Sequence, residues 1–495
     1  MDDVLDRLQM PPLEVYDRPH CARDETYSAP PRESNPIPNA PVASDPMGTL
    51  YEVTQLRSLR KEDNGSLRVM KADDFISRGL IRIAEARELF QMYHSNMDHY
   101  IYGIASKYSD LEVARNTSTL LTLCICTIAA LHHPSKTNAF NICYSEFLSQ
   151  VGSTIFSKPH SLTDILALAI GAFYLPDVSW VLSGLAIRLA TEQRMYASFD
   201  QVMKGNAHEY ERLRIWYLLY ICDHHFSIAY GRPPSIYEQE SIREWRRYLD
   251  HELHTDADMR MSTQVSLFVI TSRIYDTFGT DVTQPLSRND ISRLRQFNEE
   301  LDIWLGIWGN RLPTNAIIGD FPKKALPLHG LFAKLYLCSH VFRGEQVDPE
   351  FLQFADIAVS SATDILTIVI EEPLMHRALV GVPLYVHTMI AFAAVFLLKV
   401  ATTYRHIVSI NTDLILHLLT MTSQIFNQAS AARQHILYYI ADGLDKMIKK
   451  VHENQGEMSL EEHLFRTNPI SMGDLENFDF LSHQQSGFDI WSPNA

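Results

Sequence analysis

The sequence predicts an all-α fold: a large multi-helix regulatory domain over residues 72–450, flanked by disordered N- and C-terminal segments. Three observations carry that expectation. Apolar residues recur at three- and four-residue spacing in segment after segment. No segment alternates apolar and polar residues as a strand would, and no short-period repeat is present. Both ends change composition, to proline-rich in residues 10–48 and to polar and acidic beyond about 455.

The elements follow in order. Residues 1–48 read as a linker, because prolines at 11, 12, 19, 30, 31, 36, 38, 41 and 46 with few aliphatics bury too little surface to offset ordering entropy. A short helical patch, LYEVTQLRSLRKE (50–62), lies in a linker segment spanning 49–71 and breaks at Asn64-Gly65. In 85–104 the stripe is Leu89, Met92, Tyr93, Met97, Tyr100 and Ile101. Further helices are expected near 116–131, 138–150, 161–172, 181–195, 208–230 and 263–278. In 289–308 the stripe is Ile291, Leu294, Phe297, Leu301, Trp304, Leu305 and Trp308, with Asn289 or Asp290 as cap and Leu312-Pro313 as stop. Helices near 328–343, 351–370, 384–404 and a long one over 411–450 complete the domain, and 451–495 is a tail.

Composition excludes several classes. A formal charge of −16 speaks against gripping nucleic acid along the whole surface, which needs clustered Lys and Arg. Most of the excess is at the ends: nine acidic against four basic residues in 1–48, and eight against one in 453–495. Six cysteines, at 21, 124, 126, 143, 222 and 338, form neither a disulfide framework nor a CxxC pair, and read as small buried hydrophobes in a reducing compartment. Met1-Asp2-Asp3 lacks the basic and apolar regions of a signal peptide. The longest apolar runs, 120–131 and 389–398, fall short of a membrane span, so no membrane is expected.

Enzyme chemistry finds no foothold. His132-His133 and His224-His225 are neighbours that point about 100° apart on a helix, so neither pair converges on one ion. The His-Glu pairs at 208–209 and 251–252 lack the second histidine of HExxH. Asp73-Asp74 lacks the third Asp of a DDxxD magnesium motif, Asn289-Asp290 opens no second one, and no phosphate loop or GxSxG occurs. No catalytic, cofactor-binding or metal residue is assigned.

The densest stretch is RIWYLLYICDHHFSIAYGRPP, residues 214–234. Its helix is apolar on both faces, so it belongs at the domain centre. A buried Asp223 needs a partner, and Arg232 or Arg214 is the natural one. Gly231 can take the left-handed conformation that ends a helix, and Pro233-Pro234 stop it from continuing. A clamp from Asp223 to Arg232 is therefore expected, with both histidines beside it at a partly exposed surface.

This stretch resembles the signature of the fungal-specific transcription factor domain, the middle homology region of zinc-cluster (Zn2Cys6) transcription factors. The matching residues are Arg212, Arg214, Trp216, Leu219, Tyr220, Asp223, Ser227, Gly231, Arg232 and Pro233; Tyr217, Cys222 and His224 depart from the pattern. The resemblance covers 72–450 and looks most like regulators of secreted-protease or nutrient-utilisation genes. It implies a nuclear regulator of RNA polymerase II target genes, without enzymatic activity, with coactivators and a homodimer or heterodimer of family members as partners. The family's zinc-binding cysteine cluster has no counterpart here, since Cys21 is the only cysteine before residue 124. Zinc is thus expected only in members that carry the cluster, and promoter DNA binding only if a cluster is supplied from upstream of Met1 or by a partner.

In GDLENFDFLSHQQSGFDIW (473–491) acids interleave with Phe478, Phe480, Leu481, Phe488, Ile490 and Trp491, the composition of an activation segment that docks into a coactivator groove. The alternatives are a headless family member that represses by competing for partners, and an all-α enzyme or small-molecule carrier.

Overall fold

In a computed structural model of the chain, the residues described are 74–155, 160–279, 284–343, 348–405, 408 and 410–456. The helices are α1 (Ile83–Asn96), α2 (Leu111–Thr117), α3 (Thr119–Leu131), α4 (Thr137–Thr154), α5 (Leu162–Tyr174), α6 (Ser179–Glu192), α7 (Ser198–Met203), α8 (Tyr210–Tyr230) and α9 (Glu240–Arg243). They continue with α10 (Trp245–Leu249), α11 (Asp256–Phe278), α12 (Asp290–Trp308), α13 (Phe321–Ser339), α14 (Leu352–Glu371), α15 (Pro373–Ala378), α16 (Leu384–Thr403), α17 (Thr412–Asn427) and α18 (Ile436–Gly456). Among the described residues the sole β-type pairing is an isolated bridge between Asn315 and Gly319. The chain is all-α.

Short polar residues start many of the helices. Asp110, Ser118 and Asn411 accept backbone N–H groups of the first turns of α2, α3 and α17, and Ser161 with Asp164 forms a reciprocal capping box on α5. Ser118 also donates to Asp164 at 3.2 Å, which joins the two helix starts. Amphipathic helices then bury one stripe each: α12 turns Leu294, Phe297, Leu301, Trp304 and Trp308 inward. Four helices are buried nearly all round: α3, α5, α8 and α16. Sequential helices pack as neighbours, α3 on α4, α5 on α6, α13 on α14 and α17 on α18, while α8 contacts α5, α6 and α11, and α16 contacts α14, α17 and α18. Cys124, Cys126, Cys143, Cys222 and Cys338 are free and buried in this core, as expected of small hydrophobes.

Several boundaries differ from the sequence reading. The 85–104 helix stops at Asn96, because the Asp98 carboxylate turns back to accept from Ala105 N at 3.0 Å and Ser106 Oγ at 2.9 Å. Two successive left-handed residues, Tyr102 and Gly103, follow. α13 runs through Pro327 from Phe321, with Lys323 and Lys324 of its preceding turn exposed to solvent. The 411–450 helix is two helices, α17 and α18, where the Tyr438 hydroxyl donates to Ala429 O at 2.6 Å and accepts from Ala431 N at 3.2 Å. Asn289 precedes α12 but makes no side-chain cap. By length and composition Pro349–Glu371 and Leu384–Thr403 are each sufficient to cross a membrane, which corrects the estimate that every apolar stretch is too short. Leu384–Thr403 packs as a core helix, with 83% of its most apolar window buried, whereas Pro349–Glu371 buries one stripe, 44% of its window.

Candidate functional site

The signature residues converge on α8 and the chain that leaves it. Every residue from Ile215 to Ala229 is buried, which is why neither face of this helix is polar. At its end Gly231 sits at φ 60°, Gly231 N donates to Ile228 O at 3.4 Å, and Arg232 N donates to Ser227 O at 3.1 Å. That pair of bonds is a Schellman cap. The Ser227 hydroxyl adds a bond to Arg232 O at 2.6 Å, so Ser227, Gly231 and Arg232 form one stop, and Pro233 prevents its continuation.

The expected clamp is replaced by a different one. Asp223 Oδ2 accepts the backbone N–H groups of Ser235 and Ile236, both at 2.7 Å. The carboxylate thus latches the returning chain onto the helix and seats Ile236 in the core. The Arg232 guanidinium lies instead over the Trp180 ring at 5.4 Å and the Tyr230 ring at 5.8 Å. Burial pushes the Asp223 carboxyl up to about 6, against the opposing pull of the two amides. His224 and His225, expected near the surface, are each only 3% exposed. His224 Nδ1 pairs with Tyr220 O at 3.0 Å, and the His225 ring packs 5.1 Å from Tyr385.

The other two arginines tie α8 to its surroundings. Arg212 donates to Glu209 at 2.9 Å and to the Gln193 carbonyl, placing a cation at the C-terminal end of α6 where the helix dipole favours one. Arg214 Nε donates to Asp258 Oδ1 at 2.7 Å, and its Nη2 donates to the carbonyl of the left-handed Tyr102 at 2.7 Å. Asp258 has no exposed surface. It also accepts from the Tyr210 hydroxyl, from Thr255 N at 2.9 Å and from Thr255 Oγ1 at 2.6 Å, closing the capping box that starts α11. Arg260 adds a bond to His99 O at 2.9 Å, so α8 and α11 together hold the 98–103 turn. Trp216 faces Tyr196 with ring centres 6.3 Å apart, and Tyr220 reaches Glu238 at 3.5 Å. Asp258 and Asp98 escaped the sequence reading, although Thr255-Asp256-Ala257-Asp258 carries the spacing of a capping box.

Each of these polar contacts joins one part of the chain to another. The enclosed space against His225, His329, Thr271 and Tyr385 is about 10 Å3, the volume of roughly one water. A metabolite does not fit there, which removes one footing for a small-molecule carrier. Among the described residues no group of three or more His, Cys, Asp or Glu is placed to hold a metal ion. Phe478, Phe480, Leu481, Phe488, Ile490 and Trp491, the activation residues expected from the sequence, lie outside the described residues, as does Cys21.

The latch makes a measurable distinction. Asp223→Ala strands two amide N–H groups and is expected to cost about 2–4 kcal/mol in urea unfolding. Asp223→Asn keeps an accepting oxygen and should cost under about 1 kcal/mol. Equal losses for the two variants would mean that charge pairing, not the amide latch, holds Asp223.

A helix-on-helix domain built round a buried central helix, with an Asp latch and a Gly-Arg-Pro stop, is that of a fungal transcription factor middle domain. Residues 79–453 match the family model described as the middle domain of the transcriptional activator of proteases prtT, and the chain belongs to that family. It is 40% identical over 421 residues to the transcriptional activator of proteases prtT of Emericella nidulans, an alignment covering 82% of this chain and 64% of the relative. Proteins of the same name from Aspergillus niger and Aspergillus clavatus are 24% and 23% identical over 259 and 282 residues, covering 48% and 52% of this chain and 38% and 42% of theirs. The chain therefore spans less than two thirds of the length of these relatives.

Proposed function

We propose that the chain is a nuclear transcription regulator of protease genes, acting through its helical domain and an acidic-aromatic activation segment. The observation that carries this is the 40% identity, over 421 residues, to a protein named as a transcriptional activator of proteases. The domain's role is scaffolding and protein contact, not catalysis. Zinc and promoter recognition belong to a cysteine cluster supplied upstream or by a partner of the same family, as a homodimer or heterodimer. Coactivators are the partners of residues 473–491, whose aromatic and aliphatic groups dock while the interleaved acids keep them soluble.

Residues 473–491 fused to an unrelated DNA-binding domain should activate a reporter in a fungal host. Replacing Phe478, Phe480, Phe488 and Trp491 by Ala should abolish activation, since each buried aromatic contributes about 1.5–3 kcal/mol to docking. Replacing Asp474, Glu476 and Asp479 by Asn should weaken it less. A silent reporter, with expression and nuclear entry verified, removes the activator reading and leaves a member that represses by competing for partners.

A further inference from the structure

A groove of about 590 Å3 lies between α10, α11 and α12. Trp245, Trp304 and Trp308 form its floor, with the Trp245 and Trp308 ring centres 5.5 Å apart. Ile303 and Ile307, one turn apart on α12 and outside its inward stripe, stand on its side 61% and 39% exposed. Its rim carries Arg243, Arg246, Arg273 and Arg311 against two acids, Asp250 and Glu300. Glu300 is already engaged by Arg273 through two bonds, of 2.7 and 3.2 Å. The remaining rim is strongly basic, on a chain whose formal charge is −16. An apolar floor under a cationic rim selects a segment that is aromatic and acidic at once.

We infer that this groove is the docking surface for the chain's own segment 473–491. That segment holds Asp474, Glu476, Asp479 and Asp489, no Lys or Arg, and the aromatic residues Phe478, Phe480, Phe488 and Trp491. Its charge is the complement of the rim, and its large side chains suit a tryptophan floor. The stretch between Gly456, the last residue of α18, and Gly473 sets no geometric barrier. At ~3.3–3.6 Å per residue it extends to about 55–60 Å, against a radius of gyration of about 21 Å for a domain of this size. Tethering supplies an effective concentration on the order of millimolar, so even a weak contact is largely occupied. The inference concerns binding and does not rest on the transcriptional reading.

The test uses the full chain with Phe480 replaced by the photo-crosslinker p-benzoylphenylalanine, and maps adducts by mass spectrometry. Adducts are expected within one chain, on residues 243–250, 266–273 or 299–311. Arg243→Glu with Arg246→Glu changes only exposed side chains and should cut their yield roughly tenfold, equivalent to about 1.4 kcal/mol of docking. Ile303→Asp should do the same while circular dichroism and thermal midpoint stay unchanged. Adducts on any other surface, adducts confined to crosslinked dimers, no adducts, or a yield indifferent to both variants each overturn the inference. A silent reporter with intact crosslinks would defeat only the activator reading.

Discussion

Acidification from pH 7 to 4.5 is expected to remove most of the domain's stability, because the interior holds histidines as neutral groups. Burial lowers His132, His224, His329 and His387 to about 4 and His225 to about 3. It also depresses His340, next to Arg343, and His435, beside His132 and His387. An unfolded histidine takes its proton near ~6.5, so between there and the lowered folded value the unfolded chain binds more protons. Stability is then complete above about pH 6.5 and falls as the pH drops towards 4. At ~1.36 kcal/mol per pH unit for each group, two or three such histidines cancel much of an ordinary ~5–15 kcal/mol. Asp223 acts in the opposite sense, since its raised value of about 6 favours the folded state on acidification, but it is one group against several.

Geometry says where the damage begins. The rings of His132 and His435 are 4.8 Å apart, and those of His387 and His435 are 5.7 Å apart. Carbonyls accept from His132 Nδ1 at 2.6 Å and His387 Nε2 at 2.7 Å, so each ring already uses its one proton. His387 Nδ1 has no hydrogen-bond partner, and a proton arriving there would be a buried charge without an acceptor. The cluster joins the end of α3, α16 and the turn before α18. Urea midpoints measured from pH 7.5 to 4.5 should fall steadily below about 6.5, and His435→Asn should flatten the slope even where it lowers the plateau. A midpoint that is level or rises on acidification would show that these histidines are not held neutral by the fold.

The fold class is legible in the sequence because burying one side of a helix imposes a spacing that no other element shares; the stripe of α12 reads directly from Leu294 to Trp308. Helix stops were readable where a residue type enforces them, as at Gly231 before Pro233-Pro234. The break between α17 and α18 was not, since 421–435 contains no Gly or Pro and a tyrosine hydroxyl from the first turn of α18 holds the turn. The start of α11 at Asp256 instead of 263 was missed for a related reason: Asp and Thr there look like a polar loop until the capping box is recognised. At the site, the sequence identified Asp223 as needing a partner but pointed to the wrong one. Side-chain charges are visible in a sequence, whereas backbone amides presented by a returning chain are not. His224 and His225 were misplaced likewise, because polarity suggests a surface, whereas His224 is satisfied by a backbone carbonyl and His225 is packed against aromatic rings.

Asp258→Ala is expected to be the most destabilising single change in the signature region, at about 3–5 kcal/mol. The Asp258 carboxylate satisfies Arg214, Tyr210 and both Thr255 groups from a position without solvent contact. Its loss leaves the Arg214 guanidinium, with only 14% of its side chain exposed, to the Tyr102 carbonyl alone among these bonds. It also removes the carboxylate half of the α11 capping box, leaving Thr255 as N-cap, and loosens Tyr102, whose left-handed backbone is held by the same arginine. Removing both charges is the discriminating experiment. Arg214→Met with Asp258→Ala leaves no stranded ion, so the pair should cost less than the sum of the single variants by about 1–3 kcal/mol. Asp442→Ala, which breaks the exposed i,i+4 pair to Lys446, should cost under about 0.5 kcal/mol. Additive losses for Arg214 and Asp258 would mean that α8 and α11 are joined by packing alone. A cost for Asp258→Ala no greater than that for Asp442→Ala would remove the buried anchor from the account of why this signature begins with arginine.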